Sequence, residues 1–121
     1  MFKIEHIQNT ILLTDSTNES YAQLFLDLGG SLQKLTLKNN KIIKNLKSID
    51  YSNSFSSAVL FPFTNRIKHG NYSFNNKEYN LDLNENNDNA LHGLVYNKSF
   101  KLVSKETSTD FAKITLVYEE K

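Results

Sequence analysis

The chain has no cysteine and no tryptophan, one proline, one methionine and four glycines among its 121 residues. Without cysteine, disulfide bridges and thiolate metal sites are excluded, and nothing in the sequence requires an oxidising compartment. The N-terminal region has no long apolar segment of the signal-peptide kind. No apolar run approaches the roughly 20 residues of a membrane-spanning helix. The sequence therefore predicts a soluble cytoplasmic protein that does not interact with membranes.

Charge of one sign is not concentrated anywhere in the chain. The 14 basic and 13 acidic residues are scattered and give a formal net charge of +1. We therefore expect no basic face that would attract nucleic acid or an anionic membrane. The hydrophobic share of 39% is sufficient for a core, and the length fits one domain over residues 1–121.

Hydrophobic and polar residues alternate over several short segments, most clearly in Tyr21–Leu28 and Ala112–Glu119. Such a period of two predicts half-buried strands. Many short strands with no long helical pattern between them indicate an all-β, antiparallel protein. A single turn of helix is expected near Ser48–Phe55.

Turn signals separate these segments. The pairs Asn39-Asn40 and Asn75-Asn76 predict tight β-hairpins, because asparagine tolerates the left-handed conformation that two-residue turns need. The pair Gly29-Gly30 predicts a tight bend or a bulge after the strand that begins at Tyr21. The polar residues Asn84–Ala90 have no periodicity and are predicted to form a loop.

The segment LFPFTNRIKHG contains both the only proline and the only arginine of the chain. Proline lacks a backbone donor, so Pro62 is predicted to end a strand over Ser57–Phe61 and to leave Asn65 and Arg66 just past it. The planar fork of an arginine suits paired contacts with carboxylates, phosphates or adjacent hydroxyls. Two interpretations remain open: Asn65 and Arg66 bind a polar ligand, or Arg66 forms a structural ion pair.

The three histidines differ in their surroundings. His92 follows the polar loop and precedes a glycine, as in sites where a ligand approaches the backbone, although a half-buried structural histidine is the alternative. His69 is expected to be exposed in a turn, and His6 to be structural in the first strand. Their spacing does not match a metal-ligand pattern, so no metal site is predicted.

The order of these motifs resembles the N-terminal part of the aldose 1-epimerases, also called galactose mutarotases. An early glycine-containing strand pair, Leu26–Leu37, resembles the same family. The matching residues of the two main motifs are Pro62, Asn65, Arg66, Ile67, Gly70, Tyr79, Leu91, His92 and Gly93.

The resemblance implies a large antiparallel β-sandwich whose concave face holds a sugar. Family members interconvert the α and β anomers of an aldose without a cofactor. A general base takes the proton of the anomeric hydroxyl, a general acid protonates the ring oxygen, and the opened ring closes on its other face. Arg66 and His92 match family residues that bind sugar hydroxyls, and Asn65 is predicted to bind substrate beside them.

The chain also departs from the family pattern. Family members are much longer, and their acid histidine and base glutamate lie well downstream of the position of His92. Both are therefore expected beyond Lys121, and residues 1–121 alone are expected to be inactive, as the truncated N-terminal part of a larger mutarotase-like domain. Leu94 stands where another glycine is common, and Phe100 where tryptophan is common, so the sugar is left open.

Two other functions remain open beside the epimerase. One is a carbohydrate-binding β-sandwich without catalysis. The other is a relative that acts on hexose phosphates, which would need a cationic cluster, whereas this segment offers Arg66 with Lys68 nearby. The chain ends directly after a predicted strand, so we also expect exposed strand edges and self-association through them.

Overall fold

The computed structural model describes residues 1–44 and 48–121, which form two compact units. The first unit comprises Met1–Val59 and Tyr96–Lys121, and the second unit comprises Leu60–Val95. All strand pairs in both units are antiparallel, and the helix α1 (Ser48–Ser54) is short. The predicted all-β, antiparallel class is confirmed, whereas the prediction of one domain stays a prediction.

The first unit is built on a five-stranded meander in which each strand pairs with its neighbour in sequence. The predicted strand from Tyr21 is shorter than expected, because residues 26–30 form a turn in which Gly29 and Gly30 have φ of 69° and 63°. That turn confirms the predicted bend. The five strands are β1 (Phe2–Ile7), β2 (Thr10–Asp15), β3 (Ser20–Phe25), β4 (Ser31–Leu37) and β5 (Asn40–Ile43).

A buried tyrosine ties the helix of the first unit to two other segments. Tyr51 of α1 is 2% exposed, and its hydroxyl lies 2.9 Å from the carbonyl oxygen of Leu28 and 2.8 Å from that of Tyr96. Burial raises the pKa of this phenol, so it stays a donor. The same unit ends in a hairpin of β10 (Lys101–Thr107) and β11 (Ala112–Val117).

Asparagine takes part in one tight hairpin turn of each unit. Between β4 and β5, Lys38 and Asn39 have φ of 47° and 62°, so this turn lies one residue earlier than predicted. In the second unit, Asn75 and Asn76 have φ of 51° and 59° and join β7 (Asn71–Phe74) to β8 (Lys77–Asn80), as predicted. Two successive positive φ angles are typical of the turn that matches strand twist.

The second unit contains one further strand pair, β6 (Arg66–Lys68) with β9 (Asn89–Leu91). The predicted strand over Ser57–Phe61 was wrong, because these residues form no strand and Ser57 itself has a φ of 56°, which an extended strand does not allow. Asn65 and Arg66 therefore lie at the beginning of a strand and not past the end of one. The predicted loop Asn84–Ala90 is also partly wrong, since its last two residues belong to β9.

Candidate functional site

The pairing of β6 with β9 brings two of the predicted site residues together. Arg66 lies opposite Leu91, so Asn65 and His92 meet directly beyond the end of this ladder. The His92 N–H donates to the Asn65 carbonyl oxygen at 2.9 Å, and the Asn65 N–H donates to His92 Nδ1 at 3.1 Å. Both residues have a φ of 63°, in the left-handed region. Two residues 27 positions apart in sequence are thus held in one fixed arrangement.

The glycine of the Leu-His-Gly motif lies tightly against another part of the backbone. Gly93 has a φ of 77°, and a Cβ atom there would lie 2.2 Å from the carbonyl oxygen of Phe61. The same oxygen accepts a hydrogen bond of 2.7 Å from the Leu94 N–H. Only glycine allows this approach, and it fixes the path of the chain just after His92.

A side chain that sequence reasoning did not assign to the site contacts the arginine. Arg66 donates from Nε to Glu85 Oε2 at 2.6 Å and from Nη2 to Glu85 Oε1 at 2.5 Å. Its Nη1 donates to Asn65 Oδ1 at 3.1 Å. The ion pair that the sequence left open as an alternative is therefore present. It also brings the side chain of Arg66 together with that of Asn65.

Electrostatics keep this ion pair charged. The hydrogen bonds from Arg66 lower the pKa of the Glu85 carboxyl, and a bond of 3.1 Å from Asn89 Nδ2 acts in the same direction. The same contact raises the pKa of the Arg66 guanidinium. The side chain of Arg66 is 54% exposed and that of Glu85 is 19% exposed. The Glu85 carboxylate thus orients the Arg66 side chain, while much of that side chain remains exposed to solvent.

The ring of His92 has a defined hydrogen-bonding role. Its Nδ1 accepts the Asn65 N–H, so the neutral ring carries its hydrogen on Nε2. Nε2 is then a donor, which suits the oxygen of a hydroxyl group. The residue is half-buried, as the structural alternative predicted.

An asparagine holds the strand that leads to His92. Asn84 Oδ1 accepts the Leu91 N–H at 2.6 Å, and Asn84 Nδ2 donates to the Leu91 carbonyl oxygen at 2.9 Å. One side chain therefore satisfies both backbone groups of Leu91. The side-chain amide thus replaces the hydrogen bonds that a neighbouring strand would make with Leu91.

The remaining histidines are exposed. His69 lies in a turn and contacts Asp88 at 3.0 Å with 60% of its side chain exposed, as the sequence predicted. His6 lies on β1 of the first unit and is also exposed. Over residues 1–44 and 48–121, no group of three or more histidine, aspartate or glutamate side chains could hold a metal ion. In the same residues, no helix is long and apolar enough to cross a bilayer.

The chain has the fold of the galactose mutarotase-like proteins. A solved structure of a galactose mutarotase-like protein from Clostridium acetobutylicum matches all of this chain with a TM-score of 0.73 and 26% sequence identity. The match covers 39% of that protein. The predicted β-sandwich class of this fold is thereby confirmed.

The family model described as aldose 1-epimerase matches residues 11–121, and the chain belongs to that family. An uncharacterized protein of Escherichia coli (strain K12), YihR, is 29% identical over 90 residues. That match covers 74% of this chain and 29% of YihR. The chain thus spans well under half the length of the relatives it matches, and the resemblance drawn from the motifs around Arg66 and His92 is confirmed.

Proposed function

We propose that the protein is an aldose 1-epimerase that interconverts the α and β anomers of an aldohexose, with residues 1–121 contributing contacts that orient the sugar. The observation that carries this proposal is the single network joining Asn65, Arg66 and His92 at the meeting point of β6 and β9. Membership of the family supports the isomerase class. The Arg66 guanidinium offers donors for sugar hydroxyl oxygens, and the proposal places His92 beside it as a second contact to the sugar.

Anomer exchange needs two proton transfers on opposite sides of the ring. In the proposed mechanism, a base removes the proton of the anomeric hydroxyl and an acid protonates the ring oxygen, so the ring opens and recloses. We propose that both groups, a glutamate base and a histidine acid, lie outside residues 1–121. The lengths of the relatives support this, since the chain covers 39% and 29% of them. Proton transfer of this kind requires no cofactor.

Polarimetry of freshly dissolved α-glucose and α-galactose tests the proposal. The measurement compares residues 1–121 with the longest natural form of the protein. We expect only the longer form to accelerate the approach to anomeric equilibrium. Sugar binding without acceleration by either form would favour the non-catalytic carbohydrate-binding protein. Activity of residues 1–121 alone would contradict the placing of the acid and base.

Substitutions at Arg66 test the orienting role in the longer form. Arg66→Ala should lower kcat/KM by about tenfold or more, because charge-assisted hydrogen bonds that form with the substrate are lost. Arg66→Lys keeps the charge but loses the planar fork, so it should recover little of this loss. An unchanged kcat/KM in Arg66→Ala would contradict the proposed role.

Two finer expectations belong to the same proposal. The chain is proposed to self-associate through the outer strands of the meander, where Ile7 on β1 is 65% exposed and Ile42 on β5 is 58% exposed. The cytoplasmic location and the expectation that neither nucleic acid nor membrane is a partner stay predictions.

A further inference from the structure

We propose that Glu85 is a positioning residue that also sets the charge preference of the site. In this proposal Glu85 fixes the direction of the Arg66 guanidinium and cancels its charge, so that the site takes uncharged hydroxyl groups in preference to phosphate. The inference deepens the proposed function, on which its sugar-binding part rests. It depends on the ion pair between Arg66 and Glu85, and Glu85 lies outside the two sequence motifs that carry the resemblance.

The geometry of the pair fixes the guanidinium plane. Glu85 accepts from Nε and Nη2, and Asn65 accepts from Nη1, so three of the five N–H groups of Arg66 are engaged. Among the described residues, this network leaves one N–H on each terminal nitrogen for a ligand. Because both edges of the plane are held, these two donors point in fixed directions before any sugar arrives. Such preorganisation lowers the ordering cost of binding.

Glu85 is itself firmly held. Its backbone N–H donates to the carbonyl oxygen of Asn89 at 3.2 Å, and the Asn89 N–H donates back to the carbonyl oxygen of Glu85 at 3.3 Å. The side chain of Asn89 donates to Glu85 Oε2 at 3.1 Å. The backbone of Glu85 is therefore fixed, and its carboxylate can swing away from a competing anion only by losing the bonds from Asn89 Nδ2 and from Arg66.

The charge of the pair distinguishes two classes of ligand. A hydroxyl group is neutral and accepts from Arg66 without repulsion from Glu85. A phosphate brings negative charge beside the carboxylate, and like charges at such distances repel each other. The ion pair thus disfavours hexose phosphates and leaves neutral sugars, although Arg66 alone would suit either.

Amide NMR titration of residues 1–121 tests the inference with two probes, galactose and inorganic phosphate. Glu85→Gln should weaken galactose binding about tenfold, because the guanidinium loses its charged anchor, and should make phosphate binding detectable. Glu85→Asp keeps the charge but shortens the reach, so it should weaken galactose binding while phosphate stays excluded. The double variant Arg66→Ala with Glu85→Gln should lose the gained phosphate binding.

Glu5→Gln is the matched control. Glu5 pairs with Lys3 at 2.8 Å in the first unit, so this variant removes one acid from an exposed ion pair and changes the net charge equally. It should bind both probes like the wild type, and the amide spectra report that each variant is folded. Galactose binding by Glu85→Gln at wild-type strength would overturn the positioning role. Phosphate binding no stronger than in Glu5→Gln would overturn the charge preference. A wild type that binds no galactose would count against sugar binding by residues 1–121 instead, and the phosphate comparison still decides whether Glu85 sets the charge preference.

Discussion

Substituting Gly93 by alanine should damage the second unit far more than substituting another left-handed glycine. Gly93 has a φ of 77°, and its added Cβ would lie 2.2 Å from the carbonyl oxygen and 2.6 Å from the carbonyl carbon of Phe61. Both neighbours are backbone atoms, so the chain itself must move. Gly30 is a matched control, because its φ is 63° and its added Cβ would meet only side-chain atoms, the end of Leu116 at 3.0 Å and the ring of Phe100 at 3.6 Å.

The magnitude follows from two separate costs. The left-handed backbone costs a residue with a Cβ about 1–2 kcal/mol, and this cost is shared by Gly93→Ala and Gly30→Ala. Moving the Phe61 carbonyl away also breaks the 2.7 Å bond from the Leu94 N–H, and an unsatisfied backbone donor costs about 1–3 kcal/mol more. We therefore expect Gly93→Ala to lose about 2–5 kcal/mol in free energy of unfolding and Gly30→Ala about 1–2 kcal/mol.

Urea unfolding followed through amide NMR peaks measures this difference. The peaks of Ile67 and Ala90, which lie opposite each other in β6 and β9, report on the second unit. For Gly30→Ala, peaks of β3 and β4 report on the first unit. Equal losses in the two variants would refute the reasoning, because the backbone contact with Phe61 would then add nothing. Gly93→Ala should also weaken sugar binding, since His92 directly precedes the displaced residue.

Two further predictions concern the first unit. The Asn18 amide, 2.6 Å away, lowers the pKa of the Asp15 carboxyl, as does the terminal amino group of Met1 at 3.0 Å. The folded state therefore gains stability that is fully present above the ordinary pKa of 3.8 and is lost as the pH falls through the lowered value. In the wild type, the urea midpoint of unfolding should be lower at a pH below the lowered pKa of Asp15 than at a pH above 3.8. This decrease should be smaller in Asp15→Asn. Light scattering should show self-association that rises with protein concentration, and Ile42→Lys should reduce it. A monomer at high concentration would contradict association through the edges of the sheet.

Local patterns predicted much of the fold. The asparagine pairs predicted the hairpins β4–β5 and β7–β8, because the left-handed preference of asparagine is a property of the residue itself, although the first turn uses Lys38 with Asn39. The strand over Ser57–Phe61 was predicted wrongly because its conformation depends on backbone angles and distant contacts that the residue types do not reveal. Alternation of residue types does not reveal that Ser57 adopts a positive φ, and nothing in the sequence marks the Phe61 carbonyl as a partner of Leu94.

The residues of the candidate site differ in the same way: some are predicted by local motifs, and one depends on the pairing of distant strands. Asn65, Arg66 and His92 were predicted as substrate-binding residues from recognisable motifs, and the structure brings them together. Glu85 was missed, since its contact with Arg66 spans 19 positions and depends on the register of β6 against β9. The sequence held one usable signal, an acid within the polar loop that leads to the Leu-His-Gly motif. That signal becomes specific only when the strand pairing is known.

The left-handed backbone of Asn65 and His92 limits how this site can diverge. A residue held at a φ of 63° can be exchanged cheaply only for glycine, asparagine, aspartate or histidine, so Asn65 is constrained by its backbone as well as by its side chain. Arg66 and Glu85 are not among the described residues with positive φ, and they can be replaced without that backbone penalty. Descendants of this protein that acquire a new sugar preference should therefore carry their changes at positions 66 and 85, while positions 65, 92 and 93 stay as they are.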